Sequence, residues 1–269
     1  MTEPAAAAPA RRSVALRVMT YNVHRWVGTD RRTDPGRIAD VIAASGATVV
    51  ALQEVWRGRA RHRGLDQLAG VAERLGMQMH FHPTVRVLGE EYGIAILTAG
   101  PSRLVRQGRL PGLPNGIPVE PRGALWIASE TEVGEVQVVN AHLGLFGPER
   151  RAQAKALTGP DWLGSARTGP AILLGDLNAR PGSGAHRRLA MRLRDARIEG
   201  SGAAQPTFHA RLPLVQLDHV FVDGDVRVTK VEALRTSLTR LASDHLPLVA
   251  DLAVVASETA GREGVATAA

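Results

Sequence analysis

The residue types able to do chemistry in this sequence fall at the ends of apolar runs. Asp176 and Asn178 close "LLGDLN", Asn22 and His24 follow "VMTY", and Glu54 follows "VVALQ". His142 follows "VQVVNA", Asp218 follows "LVQL", and Asp244 with His245 precedes "LPLVADLAV". Acids, amides and imidazoles are groups that bind a hard cation or a phosphate. In an extended chain residues i and i+2 share a face, so Asp176 and Asn178 are expected to project together, as are Asn22 and His24. Carboxylate and carboxamide oxygens suit Mg²⁺ or Mn²⁺, and Mg²⁺ commonly takes one or two protein carboxylates, with water and substrate phosphate completing its shell. The chain has no cysteine, which excludes thiolate metal sites, disulfides and cysteine nucleophiles.

Each piece also has a plainer reading. An Asp-x-Asn beside glycine is ordinary turn chemistry, with side chains bonded to local backbone. Glu54 alone fits a surface charge or the neighbour of a helix cap, His142 alone a hydrogen-bonded histidine of core or rim, and "SDHLPL" alone a turn before a strand. Their common placement sets them apart, because loops at one rim of a rigid sheet readily assemble a site.

The elements that must position them mix strands and helices. "VALRVMTYNVH" (14–24) reads as a buried strand and "TVVALQEV" (48–55) as a β-branched one. Between them "DPGRIADVIAASG" (34–46) predicts a helix with Asp34 as N-cap, Pro35 in the first turn and Gly46 at its end. A second helix is expected over 66–75, further strands at 78–82, 92–98, 122–130, 133–142, 170–175, 216–222, 226–233 and 246–254, and helices at 147–157 and near 184–194. Many strands with few crossover helices predict a sandwich of largely antiparallel sheets with helices over the outer faces.

Composition bounds the rest. In 269 residues, 44% of them hydrophobic, no Pro/Gly/Ser-rich or charge-rich linker divides the middle, so one domain is expected over 14–255. The low-complexity ends, 1–13 and 256–269, read as disordered tails. The net charge of +7 is carried almost wholly by arginine, since Lys155 and Lys230 are the lysines present, and "WRGRARHRG" (56–64) is the densest basic patch. A solvated loop is the favoured reading there over a nucleic-acid contact, because Trp56 alone offers a stacking ring. No run reaches the roughly 18 apolar residues of a membrane span, so a soluble protein without a transmembrane segment is expected. "RRSVALRVM" reads as the approach to the first strand rather than an export signal, since Arg17 interrupts its apolar stretch; a cytoplasmic location follows as the expectation, with export left open.

Taken in order, "TYNVH", "LQEV", "YGIAIL", "RGALW", "NAHLG", "LLGDLN", "LDHVFV" and "SDHLPL" resemble the endonuclease/exonuclease/phosphatase superfamily, from about Leu16 to Leu252. That superfamily includes apurinic endonucleases, pancreatic-type deoxyribonuclease, neutral sphingomyelinases and inositol polyphosphate phosphatases. "TYNVHRW" and "HLGLFGPERRAQAKAL" are similar to a compact bacterial branch of metal-dependent hydrolases. The resemblance implies an α/β fold, a four-layer αββα sandwich of two mixed, largely antiparallel sheets with the site at one rim, and Mg²⁺ as cofactor with Mn²⁺ as a substitute.

It also implies roles. Glu54 would be the principal metal carboxylate, with Asn22 beside it and Asp244 near the metal. Asp176 with Asn178 would position and deprotonate the attacking water, while His245, oriented by Asp218, would bind the phosphate and stabilise its developing charge. His142 and Arg122 would contact phosphate oxygens; Tyr92 reads equally as a phosphate contact or as packing at a strand start. His24 stands where many members carry a carboxylate and is expected to touch substrate instead. Ile94 stands where the compact branch often has Asn, and His219 where an aromatic is frequent.

The activity implied is hydrolysis of a phosphate ester, foremost a phosphodiester, by direct attack of water. Nucleic acid, a phospholipid head group or a small metabolite would supply the ester, and the oligomeric state stays open. Only 37 residues separate Glu54 from Tyr92, which leaves little room for inserting loops and favours a small or accessible substrate. The alternative, a phosphate- or nucleic-acid-binding protein that kept the fold and lost the chemistry, is opposed by the intact set of Glu54, Asp176, Asn178, Asp218 and His245.

Overall fold

The computed structural model describes residues 11–58, 66–113, 116–164, 169–200, 203 and 205–256. Residues 1–10 and 257–269 of the expected tails, and 59–64 of the basic patch, lie outside the described residues. The first sheet is built from β1 (Ser13–Asn22), β2 (Val49–Arg57), β3 (Gln78–Val87), β4 (Glu90–Thr98), β11 (Val226–Ala233) and β12 (Leu248–Val255), in the order β11-β12-β1-β2-β4-β3. The second holds β5 (Ser102–Arg109), β6 (Gly123–Thr131), β7 (Gly134–His142), β8 (Ala171–Asp176), β9 (Arg194–Asp195) and β10 (Asp218–Asp223), in the order β5-β6-β7-β8-β10-β9. Each sheet has one parallel pair, β1 with β2 and β7 with β8, and is otherwise antiparallel.

Side-chain alternation along the strands separates three apolar layers. Val18, Val49, Ala51, Ile94, Ile96, Ile172 and Leu174 meet between the sheets. The alternate residues Met19, Val50, Leu52, Ala95 and Leu97 face outward under α1 (Pro35–Ser45), α2 (Gln67–Leu75) and α6 (Ser237–Ala242). On the other side Val139, Ala141, Leu173 and Phe221 pack beneath α3 (Gly147–Leu157) and α4 (Gly184–Ala190). Strands apolar on both faces read as unbroken hydrophobic runs. The four layers are the expected αββα sandwich. No helix among the described residues is long and apolar enough to cross a membrane.

Local chemistry explains the elements that bring the site together. Asp34 caps α1 by accepting the Arg37 backbone N–H, and Gly46 ends it with a left-handed φ of 68°. Gly144 lets α3 dock against the loop after β7, because a Cβ there would collide with the buried Glu149 carboxylate, and Gln153 Oε1 accepts the Gly144 N–H at 2.8 Å.

Among the described strands and α-helices, four have no counterpart in the expected pattern: β5, β9, α5 (Ala196–Gly200) and α6. β5 is a sheet edge whose Arg103, Arg106, Gln107 and Arg109 lie in water, so it carries no apolar alternation. The others are two, five and six residues long, too short for a period to show. β3 runs on to Val87 rather than stopping at 82, because the pairing register shifts between Pro83 and Val85 and so absorbs the missing proline N–H.

Candidate active site

Strand direction gathers the polar residues. β1 and β2 are parallel, so Asn22 and Glu54 arrive at the same rim, and β12 is antiparallel to β1, so Asp244 and His245 precede it at that rim. In the second sheet β7 and β8 end together at His142 and Asp176, while antiparallel β10 begins there with Asp218 directly opposite Asp176. The resulting cleft, of about 620 Å³, is lined by Glu54, Tyr92, Arg122, His142, Asp176, Asn178, Asp244 and His245, among others.

Glu54 reaches the rim through a bulge. β2 and β4 pair at Leu52 with Ala95, then shift register before Val55 pairs with Gly93, and Glu54 takes a φ of 55°. The bulge is held from the opposite sheet: Asn140 Nδ2 donates to Leu52 O at 2.9 Å and to Ala95 O at 2.8 Å, and Asn140 Oδ1 accepts from Gln53 Nε2 at 2.8 Å. Gly175, with φ 153°, precedes Asp176 because a Cβ there would lie 1.9 Å from Ala141 O on β7.

The two i, i+2 pairs project by turns rather than along straight strands. His24 and Asn178 have left-handed φ values of 44° and 46°. Asp176 Oδ1 accepts the Asn178 N–H at 2.8 Å, and Asn22 Oδ1 accepts the His24 N–H at 3.0 Å. Turn chemistry and a chemical site are thus the same residues here, because one carboxylate oxygen closes the turn while the other faces the cleft.

Asn22 is buried below the acids, and its Nδ2 donates to Glu54 Oε1 and to Asp176 Oδ2, both at 3.0 Å. His24 turns away, with Nδ1 3.2 Å from Val27 O and 3.8 Å from Asp244 Oδ1; its neighbour Arg25 lines the cleft instead. Asn178 Nδ2 is anchored on Leu143 O at 2.9 Å. Arg122 is buried, 2.6 Å from Glu120 Oε1 and 3.0 Å from His142 Nδ1. Tyr92 lines the wall with its ring 6.0 Å from that of Trp56.

His245 Nδ1 lies 2.8 Å from Asp218 Oδ2, and its Nε2 lies 3.7 Å from Asp176 Oδ2. Burial lowers the His245 pKa, but the carboxylates of Asp218 and Asp176 outweigh it and raise the group to about 10. Burial pushes Asp176 up to about 6; His245 opposes the rise and Asp218 adds to it. His142 is held neutral, well below the usual range, by burial and by the nearby cations of Arg122 and His245. The site therefore sets a weakly basic carboxylate beside a fixed imidazolium.

The sequence profile of the Endonuclease/Exonuclease/phosphatase family matches residues 19–245. The chain belongs to this family. An endonuclease/exonuclease/phosphatase from Beutenbergia cavernae is 25% identical with a TM-score of 0.74, the match covering 91% of this chain and 72% of that one. A mannosyl-6-phosphatase from Bacteroides thetaiotaomicron is 22% identical over 88% of this chain and 99% of that one, with a TM-score of 0.67. The human nocturnin catalytic domain, solved with bound sulfate, is 20% identical with a TM-score of 0.64, covering 90% and 97%. These last two show the shared fold. No curated protein matches the sequence.

Enzymes of the endonuclease/exonuclease/phosphatase family are generally divalent-metal dependent, and the donors here fit such an ion. One amide of Asn22 touches both Glu54 and Asp176, so two carboxylates converge, and Asp244 shares their cleft. An all-oxygen set suits a hard cation. Asp176, Asp218 and His245 also offer ligand atoms within 4.8 Å of one another, although a protonated imidazole has no lone pair to give.

Ile94 is buried between the sheets and makes no contact with the cleft. His219 points to the opposite face of β10 from Asp218, where its Nε2 donates to Ala179 O at 2.7 Å and its ring packs near Phe221. Arg25, Trp56, Glu120 and Phe208 also line the cleft. Arg25 and Trp56 stand next to motif residues, which was a usable signal; Glu120 and Phe208 come from loops with no periodicity.

Proposed function

We propose that this chain is a divalent-metal-dependent phosphoesterase, acting on phosphodiesters by direct attack of water. The observation that carries the reading is the buried pair of unlike groups 3.7 Å apart, the Asp176 carboxylate and the His245 imidazolium. A phosphodiester is an anion that repels a nucleophile, so its hydrolysis needs a base for water and positive charge for the phosphoryl oxygens.

Asp176, with a pKa of about 6, is ionised at neutral pH yet basic enough to accept a proton from water. Asn22 and the Asn178 backbone N–H fix its carboxylate. His245 meets the phosphoryl oxygens with Nε2–H while Asp218 holds Nδ1–H, so the ring keeps its orientation as charge develops. Arg122 and neutral His142, whose Nε2 lies 3.6 Å from Asp176 Oδ2, supply further donors. Glu54 and Asp244 would hold a Mg²⁺ or Mn²⁺ ion, whose charge neutralises the phosphate oxygens when bound.

The test is hydrolysis of bis(p-nitrophenyl) phosphate with Mg²⁺, with Mn²⁺ and with EDTA. Turnover with a divalent ion that EDTA abolishes, and that His245→Ala lowers by roughly 100- to 1,000-fold, is the expected result. No turnover with either ion removes the enzymatic reading.

A further inference from the structure

The walls of the cleft differ from its floor. Carboxylates and imidazoles gather at the floor, whereas Trp56, Val85, Val87, Tyr92, Leu145 and Leu217 form much of the side. Two of these stay open to water, Val87 at 51% and Leu145 at 63% exposure, and each has an exposed apolar neighbour, Leu88 at 89% and Phe146 at 52%. They come from separate segments, the β3–β4 hairpin and the loop between β7 and α3. Apolar side chains that converge on a polar reaction centre while exposed are a binding surface rather than unused core.

Charge separates the candidate substrates. Among the described residues the guanidinium groups lining the cleft are Arg25 and Arg122, and Arg122 is already paired with Glu120 at 2.6 Å. Among the described residues, a polyanion leaving the floor would meet Glu120 and aliphatic carbon where nucleic-acid binding needs a row of cations. A single phosphate joined to hydrocarbon meets no such conflict.

Resting on the phosphoesterase reading, we propose that the cleft is an amphiphile site: its substrate is a phosphodiester with one anionic phosphate and an alkyl or acyl substituent lying against Val85, Val87, Leu145 and Leu217. A soluble ester and a lipid both present this chemistry.

The experiment uses a homologous series of p-nitrophenyl alkyl phosphodiesters, methyl to octyl, with an oligothymidylate carrying a 5′-p-nitrophenyl phosphate ester as the polyanionic competitor and Mg²⁺ throughout. The expected kcat/KM rises roughly two- to fourfold per methylene until the wall is covered. In Val87→Asn and Leu145→Asn that dependence on chain length flattens. Octyl ester hydrolysed free in solution identifies a soluble substrate, while a rise seen only when the ester is carried in neutral detergent micelles identifies a lipid; either supports the site. A rate independent of chain length, or the oligothymidylate ester cleaved faster than the octyl ester, overturns the amphiphile site while leaving the phosphoesterase reading intact. No turnover of any member with Mg²⁺ or Mn²⁺ overturns both.

Discussion

His245 and Asp218 form one buried unit at the base of the cleft, with Nδ1 2.8 Å from Oδ2. Asp218 stands directly across the β8–β10 ladder from Asp176, and the His245 ring lies between the two carboxylates, with Nδ1 toward Asp218 and Nε2 toward Asp176. Burial opposes the imidazolium, and the negative charges of Asp218 and Asp176 raise it to about 10.

Asp218→Asn keeps the shape of the pair and removes its charge. The His245 pKa is expected to fall well below 10, read by NMR titration of the ring, and kcat to drop roughly 100- to 1,000-fold as the donor loses charge and a fixed tautomer. An unmoved titration would show that Asp176 alone sustains the imidazolium.

Activity should follow a bell in pH. The rate rises as Asp176 ionises near 6 and falls as His245 loses its proton near 10. In metal-free protein the stability change has its own sign. His245 has a folded pKa above its ordinary value of 6.5, so its contribution is full below 6.5 and is lost as pH rises through about 10. Denaturant midpoints between pH 7 and 11 in EDTA, compared with His245→Gln, measure that loss; identical slopes for the two proteins would exclude it.

Asp176 works against the fold it serves. Its carboxyl is raised from 3.8 to about 6 chiefly by burial, so the charged form destabilises the metal-free protein progressively as pH rises across that interval. Asp176→Asn should therefore abolish turnover yet raise stability at pH 7, by on the order of 2 kcal/mol, in urea unfolding with EDTA. A less stable variant would mean that the hydrogen bonds from Asn22 and Asn178 depend on the charge.

Metal removal gives a readout apart from catalysis. Mg²⁺ that binds only the folded protein adds about 2.7 kcal/mol at a hundredfold excess over Kd, seen as a higher thermal midpoint that EDTA reverses. Glu54→Gln and Asp244→Asn should each shrink that shift. If Glu54→Gln keeps the full shift, the ion lies elsewhere.

Much of this was legible in the sequence, and the reason is physical. Both faces of Val49–Leu52 and Ala171–Leu174 are buried, so their strands appear as apolar runs, and the acids that end them are conspicuous by type. α1 announces itself by Asp34, Pro35 and Gly46. What stayed hidden depends on the third dimension. β5 is exposed along its length, the turns at His24 and Asn178 break the extended geometry expected of them, and Glu120 and Phe208 reach the cleft from loops.

Asn140 was the least visible of these, since it sits two residues before His142 in "NAHLG" and its neighbours in sequence are ordinary core. It is buried, and its amide bridges the sheets by donating to Leu52 O and Ala95 O while accepting from Gln53 Nε2. Leu52 O borders the bulge that turns Glu54 to the rim, so the amide should act on both stability and metal affinity. Asn140→Ala removes the donor shared by two buried carbonyls and is expected to cost about 1–3 kcal/mol in urea unfolding. Leu189→Ala, a cavity of about 2–5 kcal/mol under α4 on the far face, serves as the control. Calorimetric Mg²⁺ titration should then give a Kd at least tenfold weaker for Asn140→Ala than for Leu189→Ala. Equal affinities would reduce Asn140 to a stabilising bridge and leave the left-handed backbone of Glu54 to be held by its own strand.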